Sequence, residues 1–312
     1  MAHRTLINGT AYEIAGGKTL VGGTAYSIDK GKTLVGGTAY EVGFASWPED
    51  LDTGLEFASA SPFTVSVTAK KWGGAIEYCN GGDWQTWDGS EISSGNSEKG
   101  YCIYLRGTGN TVLTAVEKGS VVGNLTLSGT GINCNGNIEK LLDYATVAAG
   151  SHPTMGSNCY YGLFKGCTAL TSAPSLPATT LVSSCYYSMF SGCTALTSAP
   201  SLPATTLAYS CYSDMFNGCT ALTSMPSLPA TKLEQICYRR MFSGCTKIKL
   251  SSTQTGTYTK AYRIPYSGTG TGSTSTGSTG GVYNMFSNTG GTFTGTPSVN
   301  TTYYLDSSNT IV

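Results

Sequence analysis

The sequence predicts a mainly β protein with short helical turns, arranged as tandem β-hairpins, a small β-sandwich and a stacked repeat array. Three observations predict it. A 26-residue unit opening at Cys159 returns at Cys185, Cys211 and Cys237. A 14-residue unit occurs three times at the start of the chain. Between them lie short β-prone runs separated by Gly-rich turns. A fixed period of 20 to 50 residues marks a solenoid, whose units cannot bury their apolar faces alone and so stack on their neighbours.

The 14-residue unit comes first. Arg4 to Tyr12, Lys18 to Tyr26 and Lys32 to Tyr40 align, each with Asn-Gly or Gly-Gly between two β-prone runs. That pattern is the strongest short hairpin signal. An isolated hairpin is marginal in water, so residues 1–43 are expected to gain stability from a partner or a sister subunit. The Gly-Lys-Thr at 17–19 and at 31–33 is not a phosphate loop. A P-loop needs Gly five residues before its final Gly, and Tyr12 and Tyr26 stand there.

Residues 51–130 read as a small sandwich with strands at 63–69, 75–79, 101–106, 111–116 and 124–127. Gly81-Gly82-Asp83, Asp88-Gly89 and Gly107-Thr108-Gly109 supply the turns. Trp72, Trp84 and Trp87 are either core packing or a sugar platform. Cys79 and Cys102 are candidates to bridge the sheets. Residues 131–158, with Leu141-Leu142, lie between the sandwich and the repeat array.

Each repeat has two halves. In Cys185-Tyr186-x-x-Met189-Phe190-x-Gly192-Cys193 the apolar spacing fits one face of a short helix or 3₁₀ turn. Gly192 suits a helix end with positive φ. Thr194 to Pro200 then suits a short strand, and Leu202, Pro203 and Leu207 an extended arm. Cys185, Met189, Phe190, Leu196, Leu202 and Leu207 are the expected core, with their equivalents in columns. The eight repeat cysteines are expected as buried thiols, with disulfides between units or a metal as alternatives. Their spacing of eight is wider than the two to four of zinc pairs. Helical geometry would put the two sulfurs of one unit roughly 12 Å apart. Residues 251–312 read as an irregular Gly/Ser/Thr-rich loop, densest at 267–281, followed by a degenerate unit at Tyr283-Asn284-Met285-Phe286.

Phe190-x-Gly192-Cys193-Thr194-x-Leu196 resembles the BspA-like class of leucine-rich repeats, and recurs at 164–170, 216–222 and 242–248. The Thr-Leu-Val-Gly-Gly-Thr-Ala-Tyr hairpins resemble segments of tail and other structural proteins of phages that infect gut bacteria. The order of sandwich, Leu141-Leu142 segment and repeats is similar to that of BspA-like proteins encoded by gut bacteria and their prophages. That resemblance implies that residues 131–158 cap the repeat array. The resemblance implies a virion protein that adheres to a host surface. It implies other virion proteins as partners of the hairpins, a host protein or glycan as the outer partner, and homo-oligomeric assembly. A head-decoration protein without a receptor and a bacterial cell-surface adhesin are the alternatives. Read as the true start, Met1-Ala2-His3-Arg4-Thr5 has no apolar signal region, which favours the phage reading and a location in the virion. No membrane insertion is expected, since no run approaches a membrane span.

Chemistry is sparse. The chain has 18 basic and 18 acidic residues, which argues against a nucleic-acid partner, whose footprint is basic. Its two histidines, His3 and His152, lie near no nucleophile signature. The acidic residues are scattered, with no acid/base pair for glycoside hydrolysis evident in the sequence. No catalytic residue, metal site, cofactor or enzymatic activity is expected. The expected function is binding, by positions that differ between copies or repeat on the strand face. Tyr187, Ser188, Tyr209, Ser213, Asp214, Arg239 and Arg240 are expected to face outward. Thr171, Thr197 and Thr223 form a uniform hydroxyl row.

Overall fold

Among the described residues the protein is mainly β, with several open sheets and one α-helix at Lys140–Ala148. The computed structural model describes residues 47–97, 100–265 and 278–312, and the backbone of six strands within the first 46 residues. Two compact units divide the chain, Met1–Trp47 and Pro48–Val312.

In the first unit, strands His3–Ile7, Thr10–Ala15, Lys18–Val21 and Thr24–Ser27 form one antiparallel sheet in sequence order. Lys32–Val35 pairs with Thr38–Glu41. The expected turns at Asn8-Gly9, Gly22-Gly23 and Gly36-Gly37 lie outside the described residues, as does most of the Gly/Ser/Thr-rich run at 267–281.

The second unit begins with two sheets. The larger runs Gln85–Thr86, Ala75–Cys79, Gly100–Thr108, Leu55–Ser59, Ile132–Asn135 and Leu170–Ser172, with Gly95–Ser97 also paired to Gly100–Thr108. The smaller holds Ile92–Ser93, Thr64–Val67 and Leu125–Ser128. Val67 and Leu125 of the smaller sheet, Ile76 and Leu105 of the larger and Leu141 of the helix line one void of about 20 Å³, so all three share a core. Five strands of these sheets escape the sequence reading: the short Gln85–Thr86, Ile92–Ser93 and Gly95–Ser97, and the longer Leu55–Ser59 and Ile132–Asn135. Leu55–Ser59 alternates buried and half-buried residues, but Glu56 and Ser59 dilute its apolar signal. Ile132–Asn135 pairs antiparallel with Leu55–Ser59 and parallel with Leu170–Ser172 of the first repeat. One strand thus belongs to both the sheet and the repeats, and residues 131–158 do more than cap.

The repeats stack. The segment expected as a helix or 3₁₀ turn is a ribbon of overlapping four-residue turns, and this corrects the sequence reading. Tyr161, Leu163, Lys165 and Cys167 donate their backbone N–H to the carbonyls three residues back, at 2.9–3.1 Å. The alternate residues Tyr160, Gly162, Phe164 and Gly166 donate at 2.8–3.0 Å to Cys185, Tyr187, Met189 and Ser191 of the next copy. Every fourth residue has positive φ: Asn158, Gly162 and Gly166, then Ser184, Ser188 and Gly192, then Ser210, Asp214 and Gly218. Positive φ at the third residue of a turn marks type II geometry. A helix would point every N–H along its own axis; this ribbon turns alternate ones sideways, as a strand does.

The sideways pattern recurs from Ser184 to Tyr209 through Gly192 to Asn217, and from Ser210 to Gln235 through Gly218 to Ser243. It continues from Tyr238, Arg240, Phe242 and Gly244 to Gly281, Tyr283, Met285 and Ser287. The degenerate unit is therefore a fifth copy. Side chains follow the register. Phe164, Phe190, Phe216, Phe242 and Phe286 stack at 5.4–5.8 Å, and Tyr160, Tyr186, Tyr212 and Tyr238 at 5.5–5.7 Å. Cys185, Met189, Phe190, Leu196, Leu202 and Leu207 are all buried, as the period predicts. All eight repeat cysteines are buried thiols. Those of Cys193, Cys219 and Cys245 donate to the carbonyls of Phe164, Phe190 and Phe216 at 3.0–3.1 Å.

Both ends of the stack are closed. Leu113, Leu125 and Ile132 donate to the carbonyls of Cys159, Leu163 and Ala169 at one end. At the other, Gly295 and Phe286 exchange backbone bonds, and Phe293 sits edge-on to Phe286. The strand side is less regular. Copies one and two meet there through an isolated bridge, Ser172 to Ser198. Ser224–Met225 of copy three pairs with the tail strand Thr310–Ile311, and Lys249–Ser251 of copy four pairs with Thr302–Asp306. Tyr258–Arg263 completes a hairpin with Thr302–Asp306. The described parts of residues 251–312 thus include strands, and Thr302–Asp306 and Thr310–Ile311 enter the stack between copies three and four.

Candidate binding surface

The turn ribbon places residues 161, 187, 213 and 239 in one column and 162, 188, 214 and 240 in the next. Tyr161 and Tyr187 stack at 4.4 Å and 11° on the half-buried flank. Burial pushes both phenols up. The charges of Asp214, Arg239 and Arg240 all act on the Tyr187 phenol, so these side chains form one cluster. Sequence comparison missed Tyr161, although it occupies the same column as Tyr187.

Three residues expected to face outward do not. Ser188, Ser213 and Asp214 are buried. Ser188 and Asp214 hold positive φ in the ribbon. Ser213 donates to the Asp214 carboxylate at 3.0 Å and to the Arg239 carbonyl at 3.4 Å. Asn217 and the Arg240 Nε reach the same carboxylate at 3.2 and 3.4 Å. Copy-to-copy variation here marks an internal polar support. Arg239 and Arg240 are half-exposed above it, and the Arg239 Nε is buried with no hydrogen-bond partner. Tyr209 is 49% exposed. Thr197 is exposed, while Thr171 and Thr223 are half-buried. The threonine hydroxyls turn inward to backbone: Thr171 bonds Ile132, Thr197 bonds Thr171 and Thr223 bonds Thr197. Gly162 is the one glycine in the second column because a Cβ there would meet Val121 at 2.9 Å.

The tryptophans form no common platform. Trp72 and Trp87 stack at 5.5 Å inside the core. Trp84 lies against the Arg106 guanidinium, whose other neighbour is the Tyr144 ring. Arg106 also binds Asp50 at 2.5 Å and Glu77 at 2.8 Å. A hydrogen bond from Trp84, helped by Arg106, holds the Asp50 carboxyl below its usual range. Cys79 and Cys102 do not bridge sheets, because both lie on adjacent strands of the larger one.

A polar groove of about 340 Å³ lies beside Glu56, Tyr104, Asn135 and Lys140. Its groups answer one another: Tyr104 and Asn135 donate to Glu56 at 2.6 and 2.9 Å, and Lys140 donates to the Asp52 and Gly54 carbonyls. Among the described residues no group of three or more His, Cys, Asp or Glu side chains is placed to hold a metal ion. No helix among them is long and apolar enough to cross a membrane. No protein-family model, curated protein or solved structure matches the chain.

Proposed function

We propose that the chain is a bacteriophage virion protein, a tail or surface-appendage component that displays a leucine-rich-repeat solenoid for adhesion to the host. In this reading the stacked copies are BspA-like repeats with the turn ribbon in place of a helix. The sheets that precede them are an Ig-like sandwich, and the N-terminal hairpins attach the protein to other virion proteins or to sister subunits. The observation that carries the reading is the contrast within one ribbon. Its Tyr and Phe columns repeat in copies one to four beneath a half-buried flank that changes from Tyr161 and Tyr187 to Arg239. Stacked repeats of this kind make extended binding surfaces, and this reading assigns the chain no enzymatic activity.

Deletion tests it. Particles assembled with a chain lacking 159–312 are expected to incorporate the protein and to adsorb poorly to host cells. Normal adsorption of such particles overturns the adhesive role and leaves a head-decoration or structural role. A chain lacking 1–43 is expected not to be incorporated.

A further inference from the structure

The neutral total conceals a separation of charge. Residues 48–158 hold twelve acidic and six basic residues. Copies one to three, 159–227, hold only Lys165 and Asp214. The fourth copy then carries Lys232, Arg239, Arg240, Lys247 and Lys249 against Glu234. Each cation departs from the repeat. Lys232 replaces Thr180 and Thr206, Arg239 replaces Tyr187 and Ser213, and Arg240 replaces Ser188 and Asp214. Lys247 stands where the other copies have Ala, and Lys249 where they have Thr.

Solubility at the end of a stack does not account for this. The fourth copy is covered by the fifth through four backbone bonds, from Tyr238, Arg240, Phe242 and Gly244. The covering segment, 278–312, contains no Lys or Arg. Lys232, Lys247 and Lys249 are exposed, and Arg239 and Arg240 half-exposed. Asp214 meets Arg240 at 3.4 Å, and Asp306 feels Lys249. The Arg239 Nε is buried without an acceptor. The copy thus keeps a net positive charge, spread over its arm, ribbon and strand, with one guanidinium donor unanswered.

We infer that the fourth copy binds an anionic polysaccharide, its Lys and Arg side chains meeting repeated carboxylate or phosphate groups along the polymer. This rests on the adhesive reading and names the class of its receptor. A linear polyanion fits cations spread over the arm, ribbon and strand of one copy better than a single small anion does. Nucleic acid fits less well, because single-strand binding relies on free aromatic faces. Tyr161 and Tyr187, the ring pair nearest the arginines, stack on each other.

The repeat supplies its own test. Lys232→Thr, Arg239→Tyr, Arg240→Ser, Lys247→Ala and Lys249→Thr restore residues that the other copies already tolerate. The full chain is expected to bind alginate, a polyuronate, and not neutral dextran. Counterion release predicts a loss of affinity of about tenfold or more between roughly 50 and 200 mM salt. The fivefold variant is expected to keep the parent's circular dichroism spectrum and to lose alginate binding at least about tenfold. A control lacking Lys70, Lys71 and Lys118 is expected to bind as the parent does. Unchanged binding by the fivefold variant, or no binding by the parent, overturns the inference. Equal affinity for duplex DNA overturns the choice of polysaccharide. Salt-sensitive self-association that the fivefold variant abolishes assigns these cations to the acidic sheets of a second copy instead. Alginate binding that survives while particles lacking 159–312 adsorb normally overturns the adhesive reading alone.

Discussion

The two sides of the repeat stack obey different rules. On the ribbon side, alternate N–H groups of each copy reach the next, from Asn158 through Gly218 and again from Tyr238 to Gly244. On the strand side the pairing is sparse, and between copies three and four it is interrupted by Thr302–Asp306 and Thr310–Ile311. The ribbon holds the Phe, Tyr and Cys columns; the strand side holds exposed or half-buried threonines. Cohesion therefore resides in the ribbon, and the strand side tolerates insertion. Each prediction below probes that division.

Alkali should act most strongly, because the ribbon alone contains the repeat thiols. Burial pushes Cys159, Cys167, Cys211 and Cys219 up to about 12, and Cys185, Cys193, Cys237 and Cys245 well up, from an ordinary 9.0. Raised folded values mean that the stability is fully present below pH 9. Above it the unfolded chain loses protons that the folded chain keeps, so stability falls as pH rises. The slope approaches about 1.4 kcal/mol per thiol per pH unit. Eight thiols together exhaust a typical stability of about 5–15 kcal/mol within one or two units. Circular dichroism against pH is expected to show cooperative unfolding between pH 9 and about 11. Cys193→Ala with Cys219→Ala should make the loss shallower. A spectrum unchanged at pH 11 would break the comparison.

Next in size is a single column residue. Phe216 is fully buried between Phe190 at 5.7 Å and Phe242 at 5.6 Å. Phe216→Ala is expected to cost about 3–5 kcal/mol in urea denaturation, the usual range for a buried phenylalanine. Thr197→Ala, on the strand side of the preceding copy, should stay within about 0.5 kcal/mol. Equal losses would erase the distinction between the sides.

The same division explains what the sequence made legible. The columns were readable because a period of 26 forces equivalent residues together, and Phe190 over Phe216 follows from spacing alone. The ribbon was misread because Tyr186, Met189 and Phe190 satisfy a helical spacing. The countersign was present in the αL-tolerant residues at every fourth position, such as Ser184, Ser188 and Gly192. Outward orientation failed at Ser188, Ser213 and Asp214, since variation between copies also occurs where polar groups support one another internally. Strands Ile132–Asn135, Thr302–Asp306 and Thr310–Ile311 were hidden for another reason. Their pairing partners lie far away in sequence, and no local pattern announces a partner. The cationic fourth copy was visible once the copies were aligned and charge was counted by copy.

Asn309 measures how firmly the insertion is held. It is fully buried. Its Nδ2 donates to the Thr223 and Lys247 carbonyls at 3.0 and 2.9 Å, and its Oδ1 accepts from the Lys249 N–H at 2.9 Å. One side chain thereby joins copies three and four where their strands have separated. Asn309→Ala leaves buried groups unanswered, at a cost of about 1–3 kcal/mol. Hydrogen exchange is expected to quicken at Thr310 and Val312, with the ribbon amides of Tyr212 and Phe216 still protected. Exchange that quickens equally on both sides would mean that the strand side also governs cohesion.

The smallest effect tests the ribbon from the other direction, by improving it. Its first left-handed column reads Asn158, Ser184, Ser210 and Ile236, and Ile236 holds φ of 61°. A β-branched residue is a genuine outlier there, because its Cβ crowds the following carbonyl by roughly 1–2 kcal/mol. Asn adopts that conformation more readily and already serves at Asn158. Ile236 is only half-buried, so little packing is lost on replacement. Ile236→Asn is therefore expected to stabilise the protein by about 0.5–1 kcal/mol, read as a higher urea midpoint with an unchanged slope. Ile236→Val keeps the branched Cβ and should gain nothing. A destabilised Asn variant would mean that the Ile236 side chain contributes more by packing than its backbone loses by strain, and that the ribbon tolerates left-handed strain more freely than its Gly, Ser and Asn columns imply.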